Sequence, residues 1–576
     1  MSKARCRPRS ALRDVGRALG IDLQRIDAVA KSQQWYDGRR ISAERLRENG
    51  FDPESPICRL WVELTQQLIG FPRHLSQHPG GFVIAKERMA ELVPVENAAM
   101  PERSVIQWDK DDLDELGLLK VDILALGMLS AIRRALDFIE AKLGRPVRMQ
   151  DVPDADPATY EMVSRADTVG VFQIESRAQM SMLPRLKPRC YYDLVVQVAI
   201  VRPGPIQGGM VHPFLKNREL PDEAIDCPEE LKPALMRTKG VPIFQEQVMQ
   251  IAMLAADFTA GEADALRRAM AAWKRKGGLT PFHERLVGRM VEKGYAREYA
   301  ERIFKQIEGF GEYGFPESHA AGFALLAYVS SWIKRHHPDA FLAGLLNSQP
   351  MGFYAPAQLV RDAREHGVEV LPVDVRWSGE QSSLSLVAPA PAWSGLDVSV
   401  PASAEAAARA AAPPPGALGE GAPLHAVRLG FDRIAGLATE AAKRIVEARA
   451  VAPFASTEDL ARRARLDAQA LEALAQADAL QGLAGHRHHA AWAVAGIDTR
   501  PTPLLRETRV HEPCAELAAP SEAEDMQADY RRLGLTLKRH PLALLRTELA
   551  RFRIQPAAVL RTYPNGRLAR ASRPVG

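Results

Sequence analysis

Asp122 and Lys120 are the two residues of this chain whose types and spacing best suit phosphate chemistry. They lie in GLLKVDILALG, the segment from Gly117 to Gly127, which is otherwise apolar. If this segment is a strand, residues two apart share a face, so the cation and the anion lie on one side and Leu119 and Val121 on the other. A carboxylate beside a cation suits a bound metal ion and a phosphate group. A buried Asp–Lys pair with a purely structural role is the alternative.

An acidic run, QWDKDDLDEL at 107–116, precedes that segment. Its four aspartates are Asp109, Asp111, Asp112 and Asp114. A second metal cluster is one interpretation of the run. We favour the start of a short helix, because acidic side chains interact favourably with the unpaired amides and the dipole at a helix N-terminus. We therefore expect these aspartates to lie apart from Asp122.

A second set of candidate residues is cationic and recurs beside glycine-containing turns. It comprises Arg202 in RPGP, Arg267 and Arg268 in DALRRAM, the run at 274–276, and His319. Arginine and lysine side chains stabilise the charge that a triphosphate carries during transfer, and adjacent arginines on a helix can bind two different phosphates. The alternative is a solvated helix face. We favour it for the run Lys274–Lys276 and leave it open for the two arginines.

A strand, a turn and a helix are predicted around Asp122. Gly127 is expected to end the strand, and a helix is expected to follow up to Gly144, because apolar residues repeat there at helical spacing. A second strand is expected at 80–85. Asp122 would thus lie in the middle of a central strand.

The rest of the chain is predicted to be mainly helical. A short amphipathic helix is expected at 10–19, and residues 145–375 indicate a large helical domain rich in loops. Within it, the apolar stretch His319–Ile333 is too short to span a bilayer and is expected to be a core helix. The Ala/Pro-rich stretch at 387–424 cannot bury enough apolar surface to fold alone, and is expected to be a linker or an exposed insertion.

Length and composition set the class of protein. At 576 residues the chain is expected to form roughly four domains. A net charge of +4 does not by itself indicate a polyanionic partner. The five cysteines form no CxxC pair, which argues against a zinc ribbon or a disulfide framework and favours a reducing compartment. The cytoplasm is therefore the expected location, and no membrane partner is expected.

A glycine-containing turn after the Ala/Pro-rich stretch is similar to a helix-hairpin-helix, in which turn amides bind a DNA phosphate. A helix is predicted after it at 439–449, and a second helical pair at Ser456–Leu480 makes a tandem module plausible. A plain helical turn is the alternative. The candidate DNA-binding residues are Ile434, Gly436, Ala438 and Lys443.

Two further motifs have structural interpretations that we favour. His486, His488 and His489 lack a regular ligand spacing and a nearby Cys or carboxylate, so a solvated loop is expected rather than a metal site. The sequence QADAL at Gln476–Leu480 lacks the terminal aromatic residue of a sliding-clamp peptide, and is expected to belong to a helix.

Taken together, these segments closely resemble the bacterial C-family DNA polymerases, the replicative polymerase III alpha subunit and its relatives. The resembling stretches run collinearly along nearly the whole chain: RPRSALRDVG, HLSQHPGGFVIA, VIQWDKDDLDELGLLKVDILALGML, GVFQIESRAQM, RPGPIQGGMVHPF, PIFQEQVMQIA, ADALRRAM, GFGEYGFPESHAAGFALLAYVSSWIK and LGLTLKRHPL. Within the family, HLSQHPGGFVI, PVENAAM and NSQPMGFY are similar to the accessory error-prone branch. The resemblance thus implies damage-tolerant DNA synthesis in DNA repair.

The resemblance implies a role for each candidate residue. Asp122 would be one of three palm carboxylates that bind two Mg²⁺ ions, and Lys120 would lie beside the nucleotide phosphates. The residues expected to bind the incoming deoxynucleoside triphosphate are Arg202, Arg267, Arg268 and His319. Primer–template DNA would be the other ligand. A sliding-clamp contact through accessory translesion proteins stays open.

The sequence departs from the family at one point. There, the other two carboxylates lie in a D-x-D motif upstream of RPRSALRDVG, and this chain begins almost at that helix. Asp109 and Asp111 also spell D-x-D, but the family carries that run in addition to the upstream pair. One carboxylate cannot hold two ions. We therefore expect an internal piece of a polymerase that is inactive alone, with a non-catalytic DNA- or partner-binding fragment of a split polymerase as the alternative.

The expected fold class is α+β, multidomain and mainly helical. The expected domains are a partial palm at 1–20 and 69–125, a thumb at 21–68, fingers at 126–386, the linker or insertion at 387–424, a helix-hairpin-helix region at 425–500, and a segment at 501–576 that precedes a missing OB-fold.

Overall fold

The protein is described by a computed structural model that covers residues 2–6, 8–32, 43–76, 81–98, 103–108, 110–122, 126–202, 205, 209–276, 280–309, 316–351, 354–385, 418, 421–498, 516–564 and 567–570. The chain divides into two compact units, Met1–Leu126 and Gly127–Gly576. The division lies within one residue of the boundary at which the fingers were expected to begin.

The first unit combines short strands with helices. Its strands are β1 (Ser2–Arg5), β2 (Pro72–Ser76), β3 (Gly81–Ile84), β4 (Val95–Asn97), β5 (Ser104–Ile106) and β6 (Leu119–Asp122). Its helices are α1 (Pro8–Ala18), α2 (Leu23–Ser32), α3 (Ala43–Glu48), α4 (Pro56–Leu68), α5 (Met89–Leu92) and α6 (Lys110–Glu115). The strands pair antiparallel as β1–β2, β3–β6 and β4–β5.

The core of the first unit lies among α1, α2, α3 and α4. Helix α1 is amphipathic, and its Leu12 and Val15, one turn apart, are both buried. Trp61 on α4 is fully buried and its indole Nε1 donates to the Leu12 carbonyl at 2.9 Å. The ring of Phe51 packs against Trp61 with 5.1 Å between centroids. This small helical core supports the strands that follow it.

The second unit is mainly helical from its first residues. The helices up to residue 309 are α7 (Leu126–Leu143), α8 (Pro157–Ser164), α9 (Arg177–Leu186), α10 (Tyr191–Ile200), α11 (Val211–Arg218), α12 (Lys232–Leu235), α13 (Gln245–Ala256), α14 (Ala260–Lys276), α15 (Thr280–Glu292) and α16 (Arg297–Gly309). Then follow α17 (Glu317–His336), α18 (Pro338–Leu346), α19 (Pro356–Glu365), α20 (Thr439–Val451), α21 (Thr457–Arg463), α22 (Ala468–Gln476), α23 (Gln481–Ala484), α24 (Arg487–Ala495), α25 (Glu522–Leu533), α26 (Pro541–Leu544), α27 (Arg546–Arg551) and α28 (Ala557–Leu560).

Three apolar helices, α10, α17 and α18, form the centre of the second unit. The residues of α10 from Asp193 to Ile200 are all buried, as are those of α18 from Pro338 to Leu346. The expected core helix at His319–Ile333 is confirmed as part of α17, whose Trp332 and Ile333 are fully buried. No helix among the described residues is both long and apolar enough to cross a bilayer.

A three-stranded sheet joins the two sides of the Ala/Pro-rich stretch. Its strands are β7 (Val370–Leu371), β8 (Ser383–Leu384) and β9 (Val427–Arg428), and β9 lies between the other two. Strand β9 pairs parallel with β7 and antiparallel with β8. The residues at 387–424 therefore leave and re-enter one sheet. Whether the stretch is a linker or an exposed insertion stays a prediction.

The strand that carries Asp122 differs from the expectation in two respects. It is short, Leu119–Asp122, and Gly127 does not end it, because helix α7 already begins at Leu126. Residues 123–125 lie outside the described part of the chain. Within the described residues β6 has a single neighbour, β3, so a strand in the centre of a sheet is not what is observed.

Candidate active site

The β3–β6 ladder sets the geometry around Asp122. In its register Asp122 pairs with Gly81 and Lys120 pairs with Val83. Residues two apart on a strand share a face, so Asp122, Lys120, Gly81 and Val83 belong to one face of the ladder. The side chain of Asp122 lies outside the described part, and that of Lys120 is half-buried. Gly81 has no side chain, so the residue that pairs with Asp122 adds no side-chain atoms to that face.

The opposite face of the ladder is apolar and open. Phe82 is 58% exposed, Ile84 is 55% exposed and Leu119 is 60% exposed. This corrects the expectation of a buried strand with one carboxylate in it. The alternation of polar and apolar residues was predicted correctly, but the apolar face is not covered within the first unit.

The acidic run forms a separate short helix, as expected. Helix α6 begins at Lys110 and ends at Glu115, and the Leu118 amide then donates to the Leu113 carbonyl at 3.0 Å in the turn that leads to β6. Asp112 is half-buried and takes part in an interaction. Asp109 and the side chains of Asp111 and Asp114 lie outside the described part, so the distance from these carboxylates to Asp122 stays untested.

Arg267 and Arg268 share one carboxylate on helix α14. Arg267 Nη2 lies 2.8 Å from Asp264 Oδ1, and Arg268 Nε lies 3.1 Å from Asp264 Oδ2. Hydrogen bonding from Arg267 lowers the pKa of Asp264, so this carboxylate is ionised. One anion serves two cations, which leaves a net positive charge on a partly exposed helix face. Asp264 was missed in the sequence, although its i−3 and i−4 spacing from the arginines would have indicated the pairing.

Arg202 and His319 lie close enough to interact. Burial, and then the charge of Arg202, lower the pKa of His319, so the imidazole is neutral near pH 7. The His319 ring meets Phe323 edge-on at 4.3 Å. Arg202 is held by two hydrogen bonds, from Nε to the Val198 carbonyl at 3.1 Å and from Nη2 to Gln173 Oε1 at 3.0 Å. Two predicted nucleotide-binding residues thus lie near each other.

The candidate residues fall into separate groups. Asp122 and Lys120 belong to the first unit, whereas Arg202, His319, Arg267 and Arg268 belong to the second. Among the described residues, no hydrogen bond or ion pair joins the Arg202–His319 pair to the two arginines of α14. The side chains of Lys274–Lys276, at the end of α14, lie outside the described part.

A cluster of charged residues in the second unit was missed in the sequence. One ligand atom from each of Asp167, Asp362 and His366 lies within 4.8 Å of the others, which is a metal-site spacing. However, the ammonium of Lys334 lies among them, 3.0 Å from Asp167 Oδ1 and 2.9 Å from Asp362 Oδ2. The Lys334 side chain is only 1% exposed. The position of a cation is therefore taken by the chain itself, and the cluster joins three segments of the unit.

The predicted hairpin turn lies between β9 and α20. Ile434 is 3% exposed and its amide donates to the Phe431 carbonyl, so this residue belongs to the core. Gly436 is exposed with φ +88, a value that favours glycine, and Ala438 is the exposed N-cap of α20. Lys443, one turn into α20, is exposed. Among the described residues no group accepts from the Gly436 or Ala438 amides. The backbone amides that could donate to a DNA phosphate are therefore those of Gly436, Ala438 and the first residues of α20.

The C-terminal end of helix α25 hydrogen-bonds to the turn. The Ala435 amide donates to the Arg532 carbonyl at 2.7 Å, and Arg532 Nη1 donates back to the Ala435 carbonyl at 3.3 Å. The second helical pair expected at Ser456–Leu480 is present as α21 and α22. The turn is thus part of a packed module and not an isolated loop.

The two motifs with structural interpretations are both parts of the packed fold. His486 is the N-cap of α24 and stacks on His489 at 3.9 Å, and His486, His488 and His489 hydrogen-bond to the backbone of Leu517 and Ala518. The expectation of a solvated loop was therefore wrong, since these histidines lie at the start of a helix and hydrogen-bond to a neighbouring segment. In QADAL, Gln476 ends α22, and Ala479 and Leu480 are fully buried.

Comparison with known proteins accounts for three parts of the chain. Residues 2–125 match the family model for the bacterial DNA polymerase III alpha NTPase domain, and residues 128–294 match that for the alpha subunit finger domain. Residues 367–490 match a helix-hairpin-helix motif. This last match begins before the Ala/Pro-rich stretch, in agreement with the sheet whose strands β7 and β8 precede the stretch and whose strand β9 follows it.

Full-length relatives agree with the domain matches. The error-prone DNA polymerase of Bordetella bronchiseptica is 59% identical over 567 residues, which are 98% of this chain and 51% of the relative. That of Burkholderia pseudomallei is 58% identical over 578 residues, and that of Alkalilimnicola ehrlichii is 56% identical over 569 residues. The chain thus spans about half the length of these relatives. The expected mainly helical, multidomain α+β fold is confirmed, and the chain belongs to the bacterial C-family DNA polymerases, in their error-prone branch.

Proposed function

We propose that this chain is part of an error-prone DNA-directed DNA polymerase, which adds deoxynucleotides to a primer end by two-metal phosphoryl transfer. One observation carries the proposal: Asp122 and Lys120 share a face of the β3–β6 ladder, and the residue that pairs with Asp122 is Gly81. A carboxylate, a cation and open space are what a metal-bound triphosphate requires. The identity of 59% to an error-prone polymerase over nearly the whole chain supports this function.

Each candidate residue has a role in the proposed reaction. Asp122 would be a ligand of Mg²⁺, which prefers carboxylate oxygens. The chemistry that Mg²⁺ supplies when bound is activation of the primer hydroxyl and stabilisation of the leaving pyrophosphate. Lys120 would contact a phosphate of the nucleotide. Arg202, Arg267, Arg268 and the neutral His319 would bind and orient the triphosphate as cations and hydrogen-bond donors.

These 576 residues by themselves are expected not to extend a primer. Asp122 is one carboxylate, and the two ions of the reaction need oxygen ligands from more than one. Loss of a few kcal/mol of transition-state stabilisation lowers the rate by several orders of magnitude. The test is a primer-extension assay of this chain, alone and co-expressed with the part of the B. bronchiseptica relative that it does not match. We call the co-expressed form the complemented protein.

The outcome is decided by substitution at Asp122. The complemented protein is expected to extend the primer, Asp122→Asn to abolish extension, and Glu115→Gln, at the exposed end of α6, to leave it unchanged. Robust extension by the chain alone that Asp122→Asn removes would show that other carboxylates of this chain complete the site. Extension that survives Asp122→Asn would remove Asp122 from the reaction.

A second candidate function, DNA binding without catalysis, is supported by the hairpin turn. Gly436 and Ala438 offer exposed amides without an acceptor, and Lys443 adds a cation one turn along α20. Binding should be independent of sequence and should weaken steeply with salt, with a slope of about −0.9 per phosphate contact on duplex DNA. Lys443→Gln is expected to lower that slope by about one contact. Glu447→Gln, further along the same helix, is the control. Absence of binding at low salt would contradict this function.

Partners and location follow from the same proposal. The partners would be primer–template DNA and deoxynucleoside triphosphates in the cytoplasm. The cysteines in the described part, Cys6, Cys58, Cys190 and Cys227, are all free thiols, which suits a reducing compartment. A sliding-clamp contact would have to use a surface other than QADAL, because Ala479 and Leu480 are buried.

A further inference from the structure

A cleft of about 500 Å³ lies in the second unit, away from every residue discussed so far. One wall is the C-terminal part of α8 with Tyr160, Ser164 and Arg165, and the other is the loop that follows α9, with Lys187, Pro188 and Arg189. A volume of this size accommodates a small ligand or one to two units of a polymer.

The charge around the cleft is positive. Arg165 pairs with Glu161 on the next turn of α8. Lys187 and Arg189 are exposed, and neither side chain has a carboxylate or other hydrogen-bond partner among the described residues. Three cations and one anion line the cleft. An anionic ligand would therefore meet two cations that no internal partner neutralises.

The loop that presents these two cations is held rigidly by its backbone. Arg218 donates from Nε to the Leu186 carbonyl at 2.9 Å and from Nη2 to the Lys187 carbonyl at 3.2 Å. Asp193 Oδ2 accepts from the Arg189 amide at 2.8 Å and also receives Arg218 Nη2 at 2.7 Å. A loop fixed in this way presents its cations with little loss of entropy on binding.

The opposite wall reaches across to the same loop. Ser164 on α8 donates its hydroxyl to the Pro188 carbonyl at 3.2 Å. The carbonyls of Leu186, Lys187 and Pro188 thus each accept a hydrogen bond from a side chain. The distance between the two walls is therefore set by the fold.

Both walls contain backbone conformations that are uncommon for residues with a side chain. Lys187 has φ 48 and ψ 70, and Ala166, directly after Arg165, has φ 59. Such left-handed residues persist only where the surroundings hold them, and they concentrate at functional sites. At Lys187 this conformation turns the chain sharply at the end of α9, so that Lys187 and Arg189 both line the cleft.

We propose that this cleft binds single-stranded DNA, with Lys187 and Arg189 contacting successive backbone phosphates. The inference rests on the proposed binding of DNA by this chain. Pro157 lines the cleft and is exposed, so it offers an apolar surface on which a base or sugar can lie, while the cations meet the phosphates. This combination of apolar surface and separated cations is what proteins use for single strands without sequence preference.

The test measures binding of the full chain to two labelled DNAs, a blunt duplex and the same duplex with a single-stranded overhang, by fluorescence anisotropy across a salt titration. The variant is Lys187→Gln with Arg189→Gln, which removes no side-chain hydrogen bond among the described residues, because both residues hold their loop through the backbone. The matched control is Arg177→Gln with Arg185→Gln, two exposed cations of α9 that do not line the cleft.

The overhang is expected to strengthen binding by the wild type, and the cleft variant is expected to lose that gain. Each phosphate contact with a single strand contributes about 0.7 to the salt slope, so the variant should lower the overhang slope by about 1.4. The control variant should keep both the gain and the slope. A photoreactive base in the overhang should cross-link to α8 or to the loop after α9.

Four results would overturn the proposal. Equal losses in the cleft variant and the control variant would show that only overall charge matters. An unchanged overhang gain in the cleft variant would exclude the cleft while leaving DNA binding by the hairpin intact. A cleft variant that loses affinity for a polyglutamate peptide but not for the overhang would assign the site to acidic peptides. If the wild type binds neither DNA, the proposed DNA-binding function fails together with the cleft.

Discussion

Gly81 pairs directly with Asp122 in the β3–β6 ladder, so the residue beside the candidate metal ligand is the one residue type without a side chain. Gly81 lies within strand β3, a position that residues with side chains normally occupy. Room for a ligand at Asp122 is the reason for glycine that fits the proposed function.

Gly81→Val is expected to inactivate the complemented protein while leaving its fold intact. Valine favours strands, but its methyl groups would fill the space beside Asp122 and displace the nucleotide. Displacement of about 1 Å costs about 10²-fold in rate. Primer extension and thermal unfolding should be measured together. Phe82→Val, the same new residue on the opposite face of β3, is the control. An active Gly81→Val protein would show that the space is not used.

Much of the fold was predictable because local periodicity determines it. Helix α1, strand β3 and the core helix α17 all follow from amphipathic or apolar patterns within the segments themselves. The strand at Asp122 was predicted too long, because apolar residues continue across Gly127 and the sequence does not show that α7 begins at Leu126. Alternation also does not reveal whether an apolar face is covered, and that of β6 is open.

The charged partners were the part that sequence reasoning missed. Lys334 and Asp167 are far apart in the chain, and Lys142 and Asp339 are equally distant, so no local pattern connects them. Asp264 is different, since it lies one turn from the arginines that it pairs with. The candidate site residues themselves came from the family resemblance and from residue type. Their pairing within the second unit became visible only in three dimensions.

Asp264→Asn is expected to strengthen triphosphate binding. In the free protein Asp264 occupies both Arg267 and Arg268, so a phosphate must compete with it. Exposed ion pairs such as these are weak, so the gain in affinity should be small, at most a few-fold. Titration of the chain with a fluorescent deoxynucleotide analogue measures it. Glu284→Gln, an exposed carboxylate of α15, is the charge-matched control. Weaker binding by Asp264→Asn would show that the carboxylate positions the arginines instead.

Substitution of both arginines shows whether they bind the nucleotide or the template. Arg267→Ala with Arg268→Ala should abolish the gain from Asp264→Asn and weaken nucleotide binding, because the cations that Asp264 releases are then absent. The salt dependence of primer–template binding should stay nearly unchanged if these arginines face the nucleotide. A flatter salt slope, by about 0.9 for each lost contact on duplex DNA, would assign them to the template.

The ion pair of Lys142 and Asp339 is expected to control the stability of the second unit. Lys142 Nζ lies 2.9 Å from Asp339 Oδ2, and the two side chains are 2% and 0% exposed. Asp339 also accepts from the His425 amide at 2.8 Å. Lys142→Met should cost about 3 to 5 kcal/mol in unfolding free energy, since it leaves a buried carboxylate unpaired. The double variant Lys142→Met with Asp339→Leu should recover part of that loss. Denaturant unfolding measures both, and a double variant less stable than the single one would contradict this account.

The His366 cluster is expected to make stability depend on pH. A hydrogen bond that His366 donates to Asp167 raises the pKa of His366 against the effect of burial, and the charge of Lys334 lowers it. The pKa of Asp167 would rise on burial, but its bonds to His366 and Lys334 lower it to about 2, so it stays ionised throughout. A histidine with a raised pKa stabilises the fold fully below its unfolded pKa of about 6.5, and this stabilisation is lost as pH rises through the folded value.

His366→Gln should therefore destabilise the protein more at about pH 5 than at about pH 8. Burial raises the pKa of Glu175, near Lys334, to about 7, and burial also raises that of Asp362. Because these groups are present in both proteins, the difference in unfolding free energy between wild type and variant isolates His366. The exposed His212, with no partner among the described residues, gives the control His212→Gln. A difference for His366→Gln that grows towards high pH would mean that His366 is neutral in the folded protein, and that Lys334 alone neutralises the two carboxylates.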